Sequence, residues 1–556
     1  MSGAVTEYQP PYVLTVDIGT SSVKAGLFDA QARGLPDCAE SIPHSQVIAN
    51  DGTSEEDADQ IRLAVERAVD SVLFKAGERS FDIAGVGFDC MASTVLGLDS
   101  LGDPLTPVFT YADTRSAIDV EQLRKELDVP TTYDKTGVMQ HTSYLPGRIR
   151  WLRRTQPKVA DRISKYVDVS TYLFSKWFAR QNVKASYCVS SWSGLFNRYE
   201  LDWDHSLIGR LGINVENLPE LAPWRDAEHG LASVYAERWP ALKDLPFFLA
   251  VGDGAAVNVG TGCIDESKVA LTVGTTGAMR ILTKGPSPDV PPGLWAYRVG
   301  EDRTLLGGSF SEGGNVVQWA IDNLRLPPVE RLDAELQKMP PARHGINVLP
   351  FIAGERSTGW STVANGVLEG VRVSTTPLEI LQAMLESVAY RFALVANLLL
   401  PLGWRRLIAS YGRCVAAGRA VRLWCLAQTA RYLPTGLVAV ASRLQLATKE
   451  GIPRSLTAIS IAVETLVLLG WAVVICTLFV PSTVLPEIMR WVSGVIAATG
   501  LVAAPWWIPA IGERLSRVKK FAIPQPRRRL LVDGVALLGA SVAVRAVGTV
   551  ALAAAF

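Results

Sequence analysis

The chain has 556 residues, 48% of them hydrophobic, and its 55 basic and 54 acidic residues leave a formal net charge of +1. This length is too great for one compact core, so we expect at least two domains. The near-neutral total, with no basic patch interleaved with aromatic residues, argues against a nucleic-acid-binding protein.

The neutral total conceals an asymmetry along the chain. Residues 411–556 contain sixteen basic and only five acidic residues, a net charge of +11, so residues 1–410 carry −10. The seven cysteines show no paired or metal-type spacing, which predicts reduced thiols in a cytosolic setting. Residues 1–8 have neither a basic start nor an apolar core, so no signal peptide is expected.

The first predicted element is a β-hairpin near the N-terminus. Residues 12–17 form a β-branched apolar strand that ends in a carboxylate, Asp17, and a Gly-Thr-Ser turn separates this strand from a second one beginning at Lys24. A turn of this kind can hold phosphate while the carboxylate holds hydrated Mg²⁺.

A helix and a buried strand are predicted next. Residues 54–73 have an acidic first turn and apolar residues three and four positions apart, which predicts an amphipathic helix packed on a sheet. Residues 81–88 predict a buried strand, and residues 89–99 cross a polar segment into another strand.

A second hairpin-like stretch occupies the middle of the chain. One carboxylate, Asp253, stands between two glycines after a hydrophobic run, where we expect a tight turn and the close approach of a ligand. Residues 269–273 then open into a Gly-Thr-Thr-Gly turn whose N–H groups and hydroxyls can hold an anion such as phosphate. Taken alone, each element is more typical of an ordinary strand and turn. Together with the first hairpin they predict a nucleotide clamp.

The two hairpins, with Gly-Asp-Gly-Ala-Ala-Val-Asn-Val-Gly at residues 252–260 and Gly-Thr-Thr-Gly at 274–277, resemble those of the FGGY carbohydrate kinases, most of all the gluconate kinase branch. The resemblance covers about residues 11–410. It implies an α/β fold of two actin-like (ribonuclease H-like) ATPase domains with a central cleft: a sugar-binding domain at 11–254 and a nucleotide-side domain at 255–410. It also implies ATP and Mg²⁺ as cofactors and a small sugar or sugar acid as substrate.

The resemblance places substrate contacts on several segments of the first domain. The polar crossing would line the sugar pocket at Met91 and Ala92, although many relatives carry a histidine where Ala92 stands. An aromatic-x-Asp-x-Arg element would present Tyr111, Asp113 and Arg115 to a polyol, with Tyr111 replacing the commoner Trp. The residues alone favour a surface salt bridge between Asp113 and Arg115.

A further substrate loop would contribute His141 and Tyr144 just ahead of an amphipathic helix. A lone histidine is more often structural than catalytic, so His141 is the weaker candidate. Residues 305–319 predict a strand, a glycine turn that includes Gly314 and the start of a helix on the nucleotide side.

The most family-specific run is residues 349–360. Its Glu355–Arg356 pair would either position phosphate or lock the loop, and locking is the plainer role. Residues 377–400 predict a long helix of the kind that the family packs beneath the nucleotide.

Phosphoryl transfer needs few residues, because the protein mainly aligns the reactants and spreads the developing charge. The resemblance implies that Asp253 is the base that accepts the proton of the sugar hydroxyl. Asp17 would hold Mg²⁺, directly or through water, with Asp253 as the second candidate metal ligand. The residues assigned to the nucleotide are Asp17, Gly19, Thr20, Ser21, Lys24, Gly274, Thr275, Thr276, Gly277 and Gly314.

The resemblance stops near Ser410, where the family continues into a glycine-rich turn that receives adenine and ribose. Residues 411–425 instead crowd Arg, Ala, Trp and Cys together without acids or periodicity, a composition typical of a shifted reading frame in a GC-rich gene. Resequencing codons 408–415 tests that hypothesis. The second domain is therefore predicted to be truncated, and residues 411–464 form an unassigned basic linker.

Residues 465–556 predict an α-helical membrane segment of about three helices. The uncharged stretches are 465–485, 491–512 and 534–556, the last interrupted by Arg545, and a stretch of about 20 residues spans ~30 Å of hydrocarbon. The basic loop at 514–529 belongs in the cytoplasm by the positive-inside rule, so the kinase domain would also be cytoplasmic, tethered to the inner membrane. Buried core helices are the competing interpretation.

Three functional hypotheses follow. The favoured one is ATP-dependent phosphorylation of a sugar or sugar acid, gluconate-like first, with xylulose or glycerol left open. The second is a catalytically incomplete kinase-like domain fused to a membrane segment, through a frameshift or gene fusion. The third is a membrane transporter or channel with a cytosolic regulatory domain, which the lack of polar pore-lining pairs disfavours. A homodimer is compatible with the sequence and not required by it.

Overall fold

The computed structural model describes residues 8–413 except 267 and 286, and beyond them residues 415, 420, 423–424, 437–479, 487–510, 526–532, 534–535 and 538. The chain divides into two compact units. The first contains the chain up to residue 262 with the short segments 284–287 and 296–305, and the second contains residues 263–283, 288–295 and the chain from 306 onward.

The first unit is an α/β structure. Its strands are β1 (Tyr12–Ile18), β2 (Ser22–Phe28), β3 (Gly34–Pro43), β4 (Val47–Ile48), β5 (Ser54–Glu56), β6 (Ile83–Cys90), β7 (Leu96–Leu98), β8 (Val108–Phe109), β9 (Lys165–Val167), β10 (Lys184–Ser186), β11 (Phe196–Asn197), β12 (Asp202–Trp203), β13 (Glu220–Ala222), β14 (Ala227–Glu228), β15 (Phe247–Phe248) and β16 (Val251–Gly252). Its helices are α1 (Ala58–Ala76), α2 (Ala117–Glu126), α3 (Val129–Thr136), α4 (Leu145–Thr155), α5 (Pro157–Ala160), α6 (Val169–Trp177), α7 (Tyr187–Ser191), α8 (His205–Arg210), α9 (Ser233–Arg238) and α10 (Asp253–Gly260).

A mixed seven-stranded sheet organises this unit. The strand order is β14-β15-β6-β1-β2-β3, and β16 also pairs with β6. β1 forms the predicted antiparallel hairpin with β2 and lies parallel to β6. Alternate residues of β1 are buried, from Tyr12 to Ile18, in one apolar cluster with α1 and α6. Because β1, β6 and β16 run in the same direction, their carboxyl ends meet at one edge of the sheet.

Two predicted boundaries in this unit are wrong. The helix expected over residues 54–73 begins only at Ala58, because Asp57 caps it by accepting the backbone N–H of Gln60, and residues 54–56 pair with β4 and β8 instead. Asp253 does not stand in a tight turn. It is the first residue of α10, directly after β16.

The remaining elements lie from residue 269 onward. The strands are β17 (Val269–Val273), β18 (Gly277–Lys284), β19 (Trp295–Arg298), β20 (Arg303–Phe310), β21 (Asn347–Leu349) and β22 (Val367–Glu369). The helices are α11 (Gly314–Asn323), α12 (Val329–Leu336), α13 (Pro377–Ser410), α14 (Leu437–Lys449), α15 (Arg454–Phe479) and α16 (Glu487–Val502). The sheet order is β17-β18-β20-β19, and α13 extends ten residues beyond the predicted helix.

The tail helices pack on the end of α13. Side chains from Trp404 to Tyr411 share an apolar cluster with side chains of α14 and α15. Arg443 of α14 stacks on Trp404 and Trp424 and pairs with Glu464 of α15, with 2.6 Å between Nη2 and Oε2. The described tail therefore has a packed core of its own at this end.

Only part of the predicted membrane segment has the expected form. Among the described residues one helix, Arg454–Val474, is long and apolar enough to cross a bilayer. The helix begins at Arg454 and not at the predicted residue 465. Glu464, which had marked the end of the uncharged stretch, lies within the helix because it is paired with Arg443. The second stretch bends by 68° between Trp491–Val502 and Ala504–Ala510, where Pro505 removes a backbone donor. The third stretch, 534–556, lies almost wholly outside the described residues.

Candidate active site

Three carboxylates meet at the carboxyl edge of the first sheet. Asp17 near the end of β1 is the register partner of Asp89 on β6. Val251 of β16 pairs with Asp89 and Gly252 pairs with Cys90, so Asp253 follows two positions beyond the partner of Asp89 on the neighbouring strand. Asp17 and Asp253 therefore lie on either side of Asp89, as the expectation of one shared site for these two acids requires.

Asp89 is the residue of this cluster that the sequence analysis did not assign. Burial first, and then the negative charge of Asp17, raise the pKa of Asp89 to about 8. Asp253 raises it further, and Asp89 is hydrogen-bonded to Asp17. The raised pKa favours the protonated form of Asp89 at neutral pH, in which it can donate a hydrogen bond to the Asp17 carboxylate.

The first phosphate turn joins β1 to β2. The strands remain in register through Asp17–Lys24 and Ile18–Val23, and Gly19 N–H closes the turn on the Ser22 carbonyl at 3.2 Å. Lys24 Nζ lies 3.6 Å from Asp17 Oδ2, and both side chains are more than a third exposed. The predicted hairpin is thus confirmed, with its cation and carboxylate side by side next to the turn.

Trp192 lies between the segment after Met91 and Ala92 and the residue before Asp253. Ser93 Oγ donates to the Trp192 backbone carbonyl at 2.7 Å. A Cβ on Gly252 would lie 2.9 Å from the Trp192 indole nitrogen, so glycine is required before Asp253 for this ring to pack there. A sugar contact for Met91 or Ala92 stays a prediction.

An aromatic wall continues from this ring. Tyr297 stacks on Trp192 with ring centroids 4.0 Å apart, and its hydroxyl lies 2.7 Å from that of Tyr144. The predicted loop residue Tyr144 therefore belongs to the aromatic group that packs against Gly252, the residue before Asp253. His141 instead lies with Nδ1 3.1 Å from Ser143 Oγ inside its own loop, the structural role that a lone histidine favours.

The Tyr111–Arg115 element is engaged elsewhere. Arg115 pairs with Asp113 at 2.5 Å and with Glu55 at 2.8 Å, and its guanidinium lies 4.5 Å from the centre of the Trp151 ring. The salt bridge that the residues alone favoured is present. A sugar contact for Tyr111, Asp113 or Arg115 stays a prediction.

The second phosphate turn is held by a neighbouring glycine loop. Gly314 N–H donates to the Gly274 carbonyl at 2.6 Å, and Asn315 N–H donates to the Thr275 carbonyl at 3.2 Å. A Cβ on Gly274 would meet nothing within 4 Å, so this turn is open on its outer side. Gly277 is buried at the start of β18.

Glu312 lies directly behind that glycine loop. Its side chain is fully buried, and neither carboxylate oxygen has a hydrogen-bond partner among the described residues. Burial raises the pKa of Glu312 to about 7, while the positive charge of Arg391 lowers it. Glu355 Oε1 accepts the Gly359 N–H at 3.0 Å and lies 3.3 Å from Arg391. Glu355 therefore locks its loop, as the plainer interpretation held.

The donor set suits a nucleotide whose metal ion keeps its water. The Gly19–Ser21 turn offers N–H and O–H donors of the kind that phosphate accepts, and the partly exposed Asp17 carboxylate beside it is an oxygen ligand of the kind that Mg²⁺ binds. Within the described part of the chain no three His, Cys, Asp or Glu side chains are grouped to bind a metal by themselves. Cys38, Cys90 and Cys188 are buried thiols that form no disulfide.

Carboxylates beside a phosphate-binding hairpin define a phosphotransferase site. Comparison with known proteins gives the family. The N-terminal domain of the FGGY family of carbohydrate kinases matches residues 12–260, and the C-terminal domain of that family matches residues 269–402. The chain belongs to the FGGY family of carbohydrate kinases, and the match ends at residue 402, a little before the end expected near Ser410.

Its similar relatives act on different substrates. The chain is 27% identical over 390 residues to a gluconokinase of Bacillus subtilis (strain 168), which covers 68% of this chain and 75% of that protein. It is 27% identical over 397 residues to a glycerol kinase of Roseiflexus sp. (strain RS-1), covering 68% and 77%. The crystal structure of a gluconate kinase from Lactobacillus acidophilus superposes with a TM-score of 0.63 at 24% identity, covering 69% of this chain and 77% of that one, which confirms the actin-like FGGY fold.

Proposed function

We propose that the protein transfers the γ-phosphoryl group of ATP to a hydroxyl of a small sugar, with a sugar acid such as gluconate as the favoured acceptor. The observation that carries this proposal is the meeting of Asp17, Asp89 and Asp253 at the ends of adjacent strands. The family supports a carbohydrate kinase, and the relatives divide between gluconate and glycerol as substrates.

Each acid has a separate role in this proposal. Asp253 accepts the proton of the attacking hydroxyl, which needs an ionised carboxylate at the substrate. Asp17 holds Mg²⁺ through water, and bound Mg²⁺ neutralises charge on the phosphates. Asp89, whose raised pKa favours the protonated form near neutral pH, donates a hydrogen bond to Asp17 and so orients that carboxylate. The turn at 19–21 supplies N–H and hydroxyl donors to phosphate, and the turn at 274–277 of the second unit is proposed separately as a phosphate-binding turn.

A buried cation favours a sugar acid. Arg148 on α4 is 2% exposed, and its Nη1 donates to the Ser93 carbonyl at 2.6 Å. Ser93 directly follows the predicted sugar-lining pair Met91 and Ala92. A fixed guanidinium beside that segment suits the carboxylate of an aldonic acid better than a neutral polyol.

A substrate panel tests the proposal. Purified full-length protein is assayed with Mg²⁺ and ATP against gluconate, xylulose, glycerol and ribulose in a coupled ADP-release assay. We expect the highest kcat/KM with gluconate. Turnover on none of the four contradicts the proposed activity, and a preference for glycerol contradicts the role given to Arg148.

A catalytically incomplete kinase-like protein is the second candidate. It is favoured by the end of the family match at residue 402, before the glycine-rich turn that would receive adenosine. ATP binding by the purified protein separates the two candidates, because turnover requires it. Tight ATP binding excludes a chain without a nucleotide site.

We further propose that the tail tethers the kinase to the cytoplasmic face of a membrane. The supporting observation is an exposed apolar surface on α15 and α16, formed by Leu466, Leu469, Val492, Val495, Ile496 and Val502. The full chain should float with phosphatidylglycerol vesicles in high salt, and the double variant Leu469→Lys/Ile496→Lys should not. A wild-type chain that stays in the soluble fraction contradicts the tether.

A further inference from the structure

A single histidine contacts the first phosphate turn twice. His44 follows β3 and donates its backbone N–H to the Ser21 carbonyl at 3.2 Å. Its ring Nε2 lies 2.9 Å from the Gly19 carbonyl oxygen. The two carbonyls that it contacts belong to the first and last residues of the turn assigned to phosphate.

The other ring nitrogen faces a buried carboxylate. His44 Nδ1 lies 2.8 Å from Glu56 Oε2, and the two side chains are 4% and 1% exposed. The ring N–H is poorly aligned with that oxygen, so the contact is an ion pair more than a hydrogen bond, and Glu56 has no better-aligned partner among the described residues. Removing His44 would therefore leave a buried charge uncompensated, which is costly.

The atoms that the His44 ring contacts determine how many protons are needed there. A carbonyl oxygen and an ionised carboxylate both accept, whereas a neutral imidazole carries only one N–H. One of its nitrogens would then present a lone pair to an acceptor. A proton at each contact is needed, and the proximity of Glu56 raises the pKa of His44 above its usual value despite burial.

The surroundings add one further charge. His44 lines a surface pocket of about 550 Å³ with Gln60 and Arg67 of α1. The charged groups on the elements packed against the ring are thus Glu56 from β5 and Arg67 from α1. Asp17 and Lys24 belong to the hairpin that His44 holds.

We propose that His44, held by Glu56, is a positioning residue for the nucleotide: as an imidazolium it fixes the Gly19–Ser21 turn in the shape that binds phosphate. The proposal rests on the proposed kinase function. Loss of one proton breaks one of the two ring contacts and releases the turn. Because Asp253 is not involved, nucleotide affinity should change more than the chemical step.

Two variants at position 44 test this. His44→Ala removes both ring contacts, and a hydrogen bond to a charged group is worth about 1.5–3 kcal/mol, so we expect KM for ATP to rise roughly 10- to 100-fold. kcat should stay within about threefold, and KM for the sugar should not change. His44→Gln can still donate to the Gly19 carbonyl and should recover most of the affinity.

The pH profile separates positioning from a merely structural role. In the wild type KM for ATP should rise as pH increases through the raised pKa of His44. In His44→Gln that rise should be absent, and in Glu56→Gln it should move to lower pH. His205→Gln is the matched control, because that histidine is 62% exposed on α8, and it should leave the profile unchanged.

Direct titration with ATP under the same conditions shows whether the proposed kinase function fails or only the proposed role of His44. A wild type that binds ATP but phosphorylates no sugar refutes the proposed function alone. Equal ATP affinity in wild type and in folded His44→Ala, or a wild-type pH profile in His44→Gln, overturns the role of His44 alone. No ATP binding by the wild type contradicts both. If His44→Ala does not fold, His44→Gln and Glu56→Gln still decide the question.

Discussion

The two phosphate hairpins share one sequence plan and differ in what surrounds them. In the first hairpin, Asp17 and Lys24 face each other across the two strands, one pair before the pair that adjoins the turn. In the second hairpin, the equivalent residues are Thr272 and Ala278. The first turn is held by a side chain, His44, and the second by backbone donors of Gly314 and Asn315. The charged pair Asp17 and Lys24 therefore distinguishes the first turn from the second and makes it the stronger candidate for chemistry.

The largest difference between the two hairpins is expected at the equivalent positions 17 and 272. Asp17→Asn removes the charge proposed to hold Mg²⁺, so kcat/KM should fall roughly 100-fold or more. Thr272→Val removes only a hydroxyl that accepts a hydrogen bond from Arg280, and we expect a change within about threefold. Steady-state kinetics at saturating Mg²⁺ measures both. Equal losses in the two variants would mean that the charge difference has no catalytic meaning.

The backbone support of the second turn can be tested at Gly313. A Cβ there would lie 2.6 Å from the Gly274 carbonyl oxygen and 2.7 Å from the Thr276 carbonyl carbon. Gly313→Ala must therefore displace the turn, which we expect to raise KM for ATP about 10-fold and to lower stability by about 1–3 kcal/mol. Gly209→Ala on α8 is the control, since its Cβ would meet nothing within 4 Å. A Gly313→Ala protein with wild-type ATP affinity rules out this turn as a phosphate holder.

The smallest effect is expected at Asp89. Its pKa of about 8 in the folded protein exceeds the value of about 4 for an unfolded chain. The folded state therefore holds one more proton between these pH values, and stability falls as pH rises from 5 to 8. In Asp89→Asn this contribution is absent, so its melting temperature should fall less over that range. Thermal unfolding in EDTA measures the slope, with the exposed Asp244→Asn as control. Parallel slopes for wild type and Asp89→Asn contradict a raised pKa.

Local pattern was sufficient for the first hairpin and for the strand before the second glycine turn. Alternating apolar residues, a glycine turn and a terminal carboxylate are all local signals, so β1, β2 and β17 could be predicted. The same signals singled out Asp17 and Asp253 as candidates. Asp89 carried the same signal as Asp17, an acid at the end of a buried strand. It could have been assigned by asking which strands lie side by side.

The supporting residues carried no local signal. His44 contacts Gly19 across 25 positions, and Tyr297 reaches Tyr144 across 153. Both contacts depend on how distant segments pack, which a residue pattern does not encode. The start of α1 was misplaced for a related reason: Ser54–Glu56 resembles an acidic helix turn, yet these residues pair with β8, more than fifty positions away.

The most direct test of the account is Asp253→Asn, which keeps the size and shape of the side chain and removes the base. Calorimetric sugar binding and coupled turnover are measured on the same preparation. We predict a loss of kcat of about 100- to 10,000-fold, the usual contribution of a general base, with sugar affinity within about threefold of wild type. An Asp253→Asn protein that keeps wild-type turnover contradicts the assignment of Asp253 and the catalytic site built around it.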